Sequence, residues 1–403
     1  MNDVFFQVSL FLIFIAFLTW VLYKRRKDVV FEWLFKPIIY IALLRTKFGL
    51  KFMDYFAKKH NKFVKRTAFV FMILGYIGIF VMGGLLIYQF YVQITNPLAP
   101  SGAALVLPIP MKGVVYVPFI YWILSIFILA LFHEFAHGIV ARAYKIKVKS
   151  SGIAFMGIGL PIVPAAFVEP DDKKVKKAKL KAKLSIFAAG PMMNIVLGVL
   201  FLVLLNALVM PLQSNDLTFV SSLSGSAIVK LTPVKVINYT EIPDSNFTAP
   251  AKLVGLPLNS TIEEIDGVKI ENFYDLKNVL DNKTPNSIVH VKADGMNYTF
   301  PLVEDPVSKK AVMGVQLDYY EKVNDLSLIF YNFLLTLVWW LAILNLGVGM
   351  FNLLPLGILD GGQMLYSSLE SWFGEKKAQR IFKFVSTVFL IVLLIMIFNS
   401  FMF

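Results

Sequence analysis

Six runs of apolar residues dominate this chain of 403 residues, at about 4–23, 67–93, 114–140, 184–210, 328–354 and 382–403. Each is long enough to cross a hydrocarbon layer about 30 Å thick as a helix. A chain so built cannot bury these runs in one water-soluble core. With 57% hydrophobic residues and a mean hydropathy of +0.68, the expectation is a polytopic α-helical membrane protein. There is no cysteine, so disulfides, thiolate metal ligands and cysteine nucleophiles are excluded.

The net charge of +13 is informative through its distribution. Residues 24–66 hold thirteen Lys and Arg, and residues 145–183 hold ten Lys. Both segments flank spans, which speaks for a membrane surface and against nucleic acid as a partner. The basic tetrad Lys24–Lys27 closes the first run and sets its C-terminal end in the cytoplasm. Within this stretch, residues 29–44 are interrupted by Glu32 and Lys36 and read as an interfacial or dipping helix. Threading six spans from an outside N-terminus leaves both basic segments inside. Residues 151–168 are apolar, rich in Gly and broken by Pro, too irregular for a helix; a strand pair or a loop dipping into the membrane fits them. Residues 171–183 read as a basic helix or linker.

The third run carries His133-Glu134-Phe135-Ala136-His137. On a helix the two imidazoles, four residues apart, stand on one face, and Glu134 projects beside them. Two nitrogen ligands and a carboxylate base make the H-E-x-x-H arrangement of zinc hydrolases. Ionisable groups inside an apolar span cost about 2.5–3.5 kcal/mol each on insertion scales, so three in one turn point to function. One Zn2+ per chain is expected, with Glu134 as general base. A catalytic zinc takes about three protein ligands. Asp360, directly after the fifth run and followed by Gly361-Gly362, is the strongest third ligand; Glu169, Asp171 and Glu370 are alternatives in charged sequence. The fourth run opens with Ala189-Gly190-Pro191-Met192-Met193-Asn194, where a Gly-Pro step bends a helix and Asn194 offers an amide to an oxyanion. An unwound substrate could add as a strand along 151–168.

Residues 213–325 are of another kind. Ten Lys against fifteen acids give a local net charge of −5, short alternating runs such as 288–292 suit strands, and Asp266-Gly267 and Asp294-Gly295 suit hairpin turns. All five N-x-S/T sequons, at Asn238, Asn246, Asn259, Asn282 and Asn297, fall here, consistent with an extracytoplasmic domain. His290, within an alternating run, reads as structural. Four regions follow: a two-span membrane region with its basic segment at 1–113, the first half of the catalytic core at 114–212, the outer domain at 213–325, and the second half of the core at 326–403.

His133–His137, the Pro164-Ala165-Ala166-Phe167-Val168-Glu169-Pro170-Asp171 stretch, Ala189–Asn194, and Asn352-Leu353-Leu354-Pro355 leading to Leu359-Asp360-Gly361 together resemble, in that order, the site-2 protease family of intramembrane zinc metalloproteases. The resemblance covers about 115–210 and 328–370. It implies zinc, an Asp ligand at Asp360, and a single-pass transmembrane substrate cut to release a signalling fragment. Residues 255–270, with the helix-like 273–280, resemble a PDZ domain, although Asn259-Ser260 stand where Gly-Asp is usual. A filter against large ectodomains is the role expected for it. Two rival readings are a membrane zinc protease of prenylated peptides, with Glu169 or Glu370 as its third ligand, and a zinc-free scaffold that binds peptides. The oligomeric state is left open by the sequence.

Overall fold

The structure is a computed structural model that describes residues 2–35, 39–96, 102–213, 217–222, 225–240, 249–305, 309–322 and 326–402. The chain divides into two compact units, one of Met1–Asn206 with Thr336–Phe403, the other of Ala207–Leu335.

Among the described residues six helices are long and apolar enough to cross a membrane. They are α1 (Asn2–Lys24), α3 (Asn61–Thr95), α4 (Phe119–Ala143), α6 (Leu180–Gln213), α9 (Leu326–Phe351) and α11 (Glu375–Met402). Shorter helices α2 (Leu50–Lys59), α5 (Asp172–Lys177) and α10 (Asp360–Phe373) connect them. Little of this apolar surface is covered by protein: 11% of the most apolar window of α11 is buried, and Phe80, Val203 and Phe384 are exposed. Water is the wrong solvent for such faces, and a bilayer is the right one.

In place of the helix expected at 29–44, the described residues there form two strands. Strand β1 (Val29–Phe35) pairs antiparallel with β2 (Ile39–Thr46). The physical reason lies in its composition: β-branched and aromatic residues such as Val29, Val30, Phe31, Trp33 and Tyr40 favour a pleated surface. The rings of Phe31, Trp33 and Tyr40 cluster within 6.5 Å of one another. Lys36, one of the charges that suggested a dipping helix, lies outside the described residues.

Two short strands, β3 (Leu105–Leu107) and β4 (Val114–Tyr116), pair in parallel, so the start of the third apolar run is extended and α4 begins only after Pro118. Residues 151–168 lie within a strand pair, β5 (Val148–Ile158) and β6 (Leu160–Pro170), that turns at Gly159 with φ 73°. β5 pairs with β2, which gives a four-stranded sheet in the order β1-β2-β5-β6 with β6 at an edge. Prolines at 161, 164 and 170 suit an edge strand, where an N–H can be spared.

The second unit is rich in strands. Sheet β15 (Val315–Lys322), β8 (Gly225–Tyr239), β7 (Leu217–Ser222) and sheet β10 (Val268–Lys269), β9 (Ile262–Ile265), β11 (Ile288–Ala293), β12 (Met296–Pro301) are joined by a pair, β13 (Val303–Glu304) and β14 (Ala311–Val312). Helices α7 (Pro250–Leu253) and α8 (Phe273–Asp281) complete it. Val236, Leu256, Ile262, Ile265, Leu276 and Val289 close its core. Both Asp-Gly turns have positive φ at both positions, the geometry of tight hairpins. The sequon residues Asn238, Asn259, Asn282 and Asn297 are exposed; Asn246 lies outside the described residues. His290 sits on β11, its Nδ1 2.9 Å from Thr299 Oγ1 across the strand pair.

Candidate metal centre

Helix α4 brings both histidines to one place and stops soon after them. Its end is a Schellman turn: Lys145 takes the left-handed conformation at φ 64°, its N–H donates to the Arg142 carbonyl, and the Ile146 N–H donates to the Ala141 carbonyl. Asp360 arrives from elsewhere in the chain, at the first position of α10. The turn before it is pinned where the Gly361 N–H donates to the Asn352 carbonyl at 2.8 Å and Gln363 Nε2 donates to the Gly357 carbonyl at 2.8 Å. A Cβ on Gly361 would overlap the backbone of Leu353, and one on Gly362 would overlap the Leu356 carbonyl. The two glycines are therefore explained by close packing on the preceding turn, not by an approach of backbone to ligand.

His133 Nε2, His137 Nε2 and Asp360 Oδ2 form a triangle with edges of 3.1, 3.1 and 3.4 Å. Three ligand atoms at about 2.0–2.1 Å from a tetrahedral zinc stand about 3.3 Å apart, so the donor set and its spacing fit that ion. The side chains of the three are 12%, 11% and 16% exposed, a shielded but not sealed site. The outer nitrogens complete the fit. His137 Nδ1–H donates to the Ile186 carbonyl at 2.6 Å, which leaves the Nε2 lone pair free. Asn194, fully buried, has Nδ2 3.2 Å from His133 Nδ1 and its Oδ1 buried without a partner, so turning the amide over exchanges the two. With Nε2 free as a ligand atom Nδ1 carries the proton, and the amide oxygen is the group that can accept it. Asn194 thus stands behind His133, on the nitrogen turned away from the triangle. The oxyanion role expected for it does not fit that position; an orienting role does.

Glu134 lies beside the triangle, and its Oε2 accepts the backbone N–H of Val168 on β6 at 2.8 Å. The rejected ligands are engaged elsewhere. Glu169 Oε2 accepts from Arg45 Nε at 3.1 Å and from Ser150 Oγ at 2.6 Å, and Glu370 pairs with Lys183 at 3.0 Å. Asp171 stands at the start of α5. Among the described residues the one group of His, Asp and Glu able to hold a metal is His133, His137 and Asp360.

Two contributions were not legible in the sequence. Val168 acts through its backbone, which no residue type announces. Gly190 reads as a bend, yet α6 runs unbroken from Leu180 to Gln213 and a Cβ at Gly190 would overlap His137 Nε2 and lie 2.5 Å from His133 Nε2. Its lack of a side chain makes room for the triangle.

Comparison with known proteins gives the family. The uncharacterized protein MJ0971 of Methanocaldococcus jannaschii is 27% identical over 389 residues, 95% of this chain and 90% of its own. The zinc metalloprotease RasP of Oceanobacillus iheyensis is 36% identical over 101 residues, 24% of this chain and 23% of its own length. The sequence profile of Peptidase family M50 matches residues 121–396, which include His133, His137 and Asp360. This integral membrane protein belongs to peptidase family M50, the site-2 protease family.

Proposed function

We propose that this chain is a zinc-dependent endopeptidase that cuts single-pass membrane proteins within or near their transmembrane helix and releases a signalling fragment. The observation that carries the reading is the His133–His137–Asp360 triangle with Glu134 beside it inside an apolar helix bundle. When bound there, zinc supplies a Lewis acid that polarises a peptide carbonyl and makes water a nucleophile near neutral pH.

The protein's own groups do the rest. Glu134 takes a proton from the attacking water and returns it to the leaving amine. The Val168 N–H holds one oxygen of that carboxylate, which leaves the other to receive the proton. Asn194 and the Ile186 carbonyl fix the two imidazoles. A peptide bond inside a helix is sterically closed, so the substrate must unwind first. The free edge of β6 gives the unwound segment main-chain partners, as in β-strand addition. The outward N–H of Val168 on that edge already meets Glu134, so a strand laid along β6 would run beside the base. The same reading assigns residues 213–325 to a PDZ-like domain on the extracytoplasmic side that rejects substrates with large ectodomains, and sets the metal centre towards the cytoplasm.

A protease of prenylated peptides with a Glu ligand is disfavoured by the ion pairs that hold Glu169 and Glu370. The test is cleavage of a purified single-pass substrate by the full chain in detergent. Cleavage that stops on chelation, returns with Zn2+ and maps inside the transmembrane segment supports the reading. Cleavage of a short prenylated peptide alone, or none of either substrate by zinc-loaded protein, contradicts it.

A further inference from the structure

A groove of about 930 Å3 runs along α4 on the face opposite the metal centre. At 100° per residue, His133 and His137 point one way, while Leu131, Phe135 and Arg142 point about 140–180° from that direction. The groove floor is aromatic. The rings of Phe48 and Phe52 each lie 6.2 Å from that of Phe135, and Gly49, at φ 73°, leaves room for the Phe135 ring against the backbone. The rim is cationic, formed by Lys47 and Lys51 on one wall and Lys147 and Lys149 on the other, all exposed. None of the four ammonium groups lies within ion-pair distance of a described carboxylate. Among the described residues the one acid lining the groove, Asp54, is held by Arg142 at 2.7 Å. The Arg142 Nε–H is buried and has no partner.

A cavity with an apolar floor and a rim of four exposed lysines, of which Lys149 also feels the Glu169 carboxylate, is complementary to an anion that carries a hydrocarbon tail. Its surroundings decide between a lipid and an acidic peptide. One wall belongs to a membrane-crossing helix, where Phe132 is 44% exposed, and the other to the amphipathic α2 and the turn before it, where Phe52 is 52% and Phe48 70% exposed. Exposed aromatic residues beside lysines are the pattern of a helix lying in the membrane interface. The groove therefore opens onto the bilayer, and its occupant comes from the bilayer. We propose that it is a binding site for one anionic phospholipid, with the phosphate among Lys47, Lys51, Lys147 and Lys149, and an acyl chain along Leu131 and Phe132. The lipid would brace α2 against the helix that carries the metal ligands, at Phe135, two positions from each histidine. This site stands whether or not the proteolytic reading does.

The test is native mass spectrometry of the delipidated full chain titrated with phosphatidylglycerol and with phosphatidylcholine. The expected result is one tight phosphatidylglycerol per chain, bound at least tenfold more weakly by the variant with Lys47, Lys51, Lys147 and Lys149→Gln, a lower bound on the effect of four interfacial lysines. The variant with Lys173, Lys174, Lys176 and Lys177→Gln carries the same charge change and should bind as wild type. Pairwise variants of one wall alone, K47Q/K51Q and K147Q/K149Q, cover a folding failure of the fourfold change; each should weaken binding by about threefold or more. Equal weakening by the α5 control, equal affinity for phosphatidylcholine, or unchanged binding in both wall variants would overturn the proposal. Full displacement by inorganic phosphate at millimolar concentration would also overturn it, since the apolar floor would then add nothing.

Discussion

The backbone N–H of Val168 donates to Glu134 Oε2 at 2.8 Å, tying an edge strand to the acid between the two histidines. Hydrogen bonds to charged groups contribute about 1.5–3 kcal/mol, so losing this one should lower turnover by about ten- to a hundredfold. Val168→Pro removes the donor, and Val168→Ala keeps it. The expected outcome is a loss of kcat in the proline variant only, with zinc content unchanged in both. Equal activity of the two variants would show that the contact is incidental.

Ala166 lies two residues from Val168 on β6, so its N–H shares the outward side, whereas the N–H of Ala165 faces β5. The β-addition reading separates the two. Ala166→Pro should raise KM for a transmembrane substrate by about tenfold while the protein melts as wild type. Ala165→Pro should break the ladder opposite Ala154 and lower the melting temperature. If Ala166→Pro cleaves as wild type, the substrate does not pair along this edge.

Gly190 faces the triangle so closely that a methyl group would displace the ligand nitrogens. Gly190→Ala should weaken zinc by at least about tenfold in a chelator competition, with helix content retained by circular dichroism. Unchanged affinity would mean that the triangle relaxes around the added carbon at no cost.

The sheet has its own pH dependence. The Ser150 hydroxyl, and after it the Arg45 guanidinium, hold the Glu169 carboxyl below the usual range. A depressed carboxylate contributes stability that is present above its unfolded pKa and lost as pH falls through the folded value. Glu169→Gln should therefore lower the melting temperature more at about pH 7 than at about pH 3. A difference of the same size at both values would place the effect in packing rather than charge.

The legible parts of this molecule were those where residue type alone carries the physics. Apolar runs long enough for a bilayer became helices, Asp266-Gly267 and Asp294-Gly295 became tight turns, and His133, His137 and Asp360 met although the carboxylate lies 223 residues beyond the second histidine. What stayed hidden depends on neighbours. Residues 29–44 pair in a sheet whose other half lies more than a hundred residues away, so their local pattern could not reveal the strand. Asn194 advertises an amide, but only packing turns it to the back of His133. Gly190 marks a missing Cβ whose purpose appears only once both imidazoles are beside it.

The central claim is that Asp360 completes a zinc site with His133 and His137. Elemental analysis of the purified full chain after dialysis against trace Zn2+ tests it most directly, for wild type, Asp360→Ala, Glu370→Gln and Glu134→Gln. The account predicts about one zinc in wild type, Glu370→Gln and Glu134→Gln, and almost none in Asp360→Ala, as three protein ligands are the norm for a catalytic zinc. A full zinc complement in Asp360→Ala, or none in wild type, would contradict it.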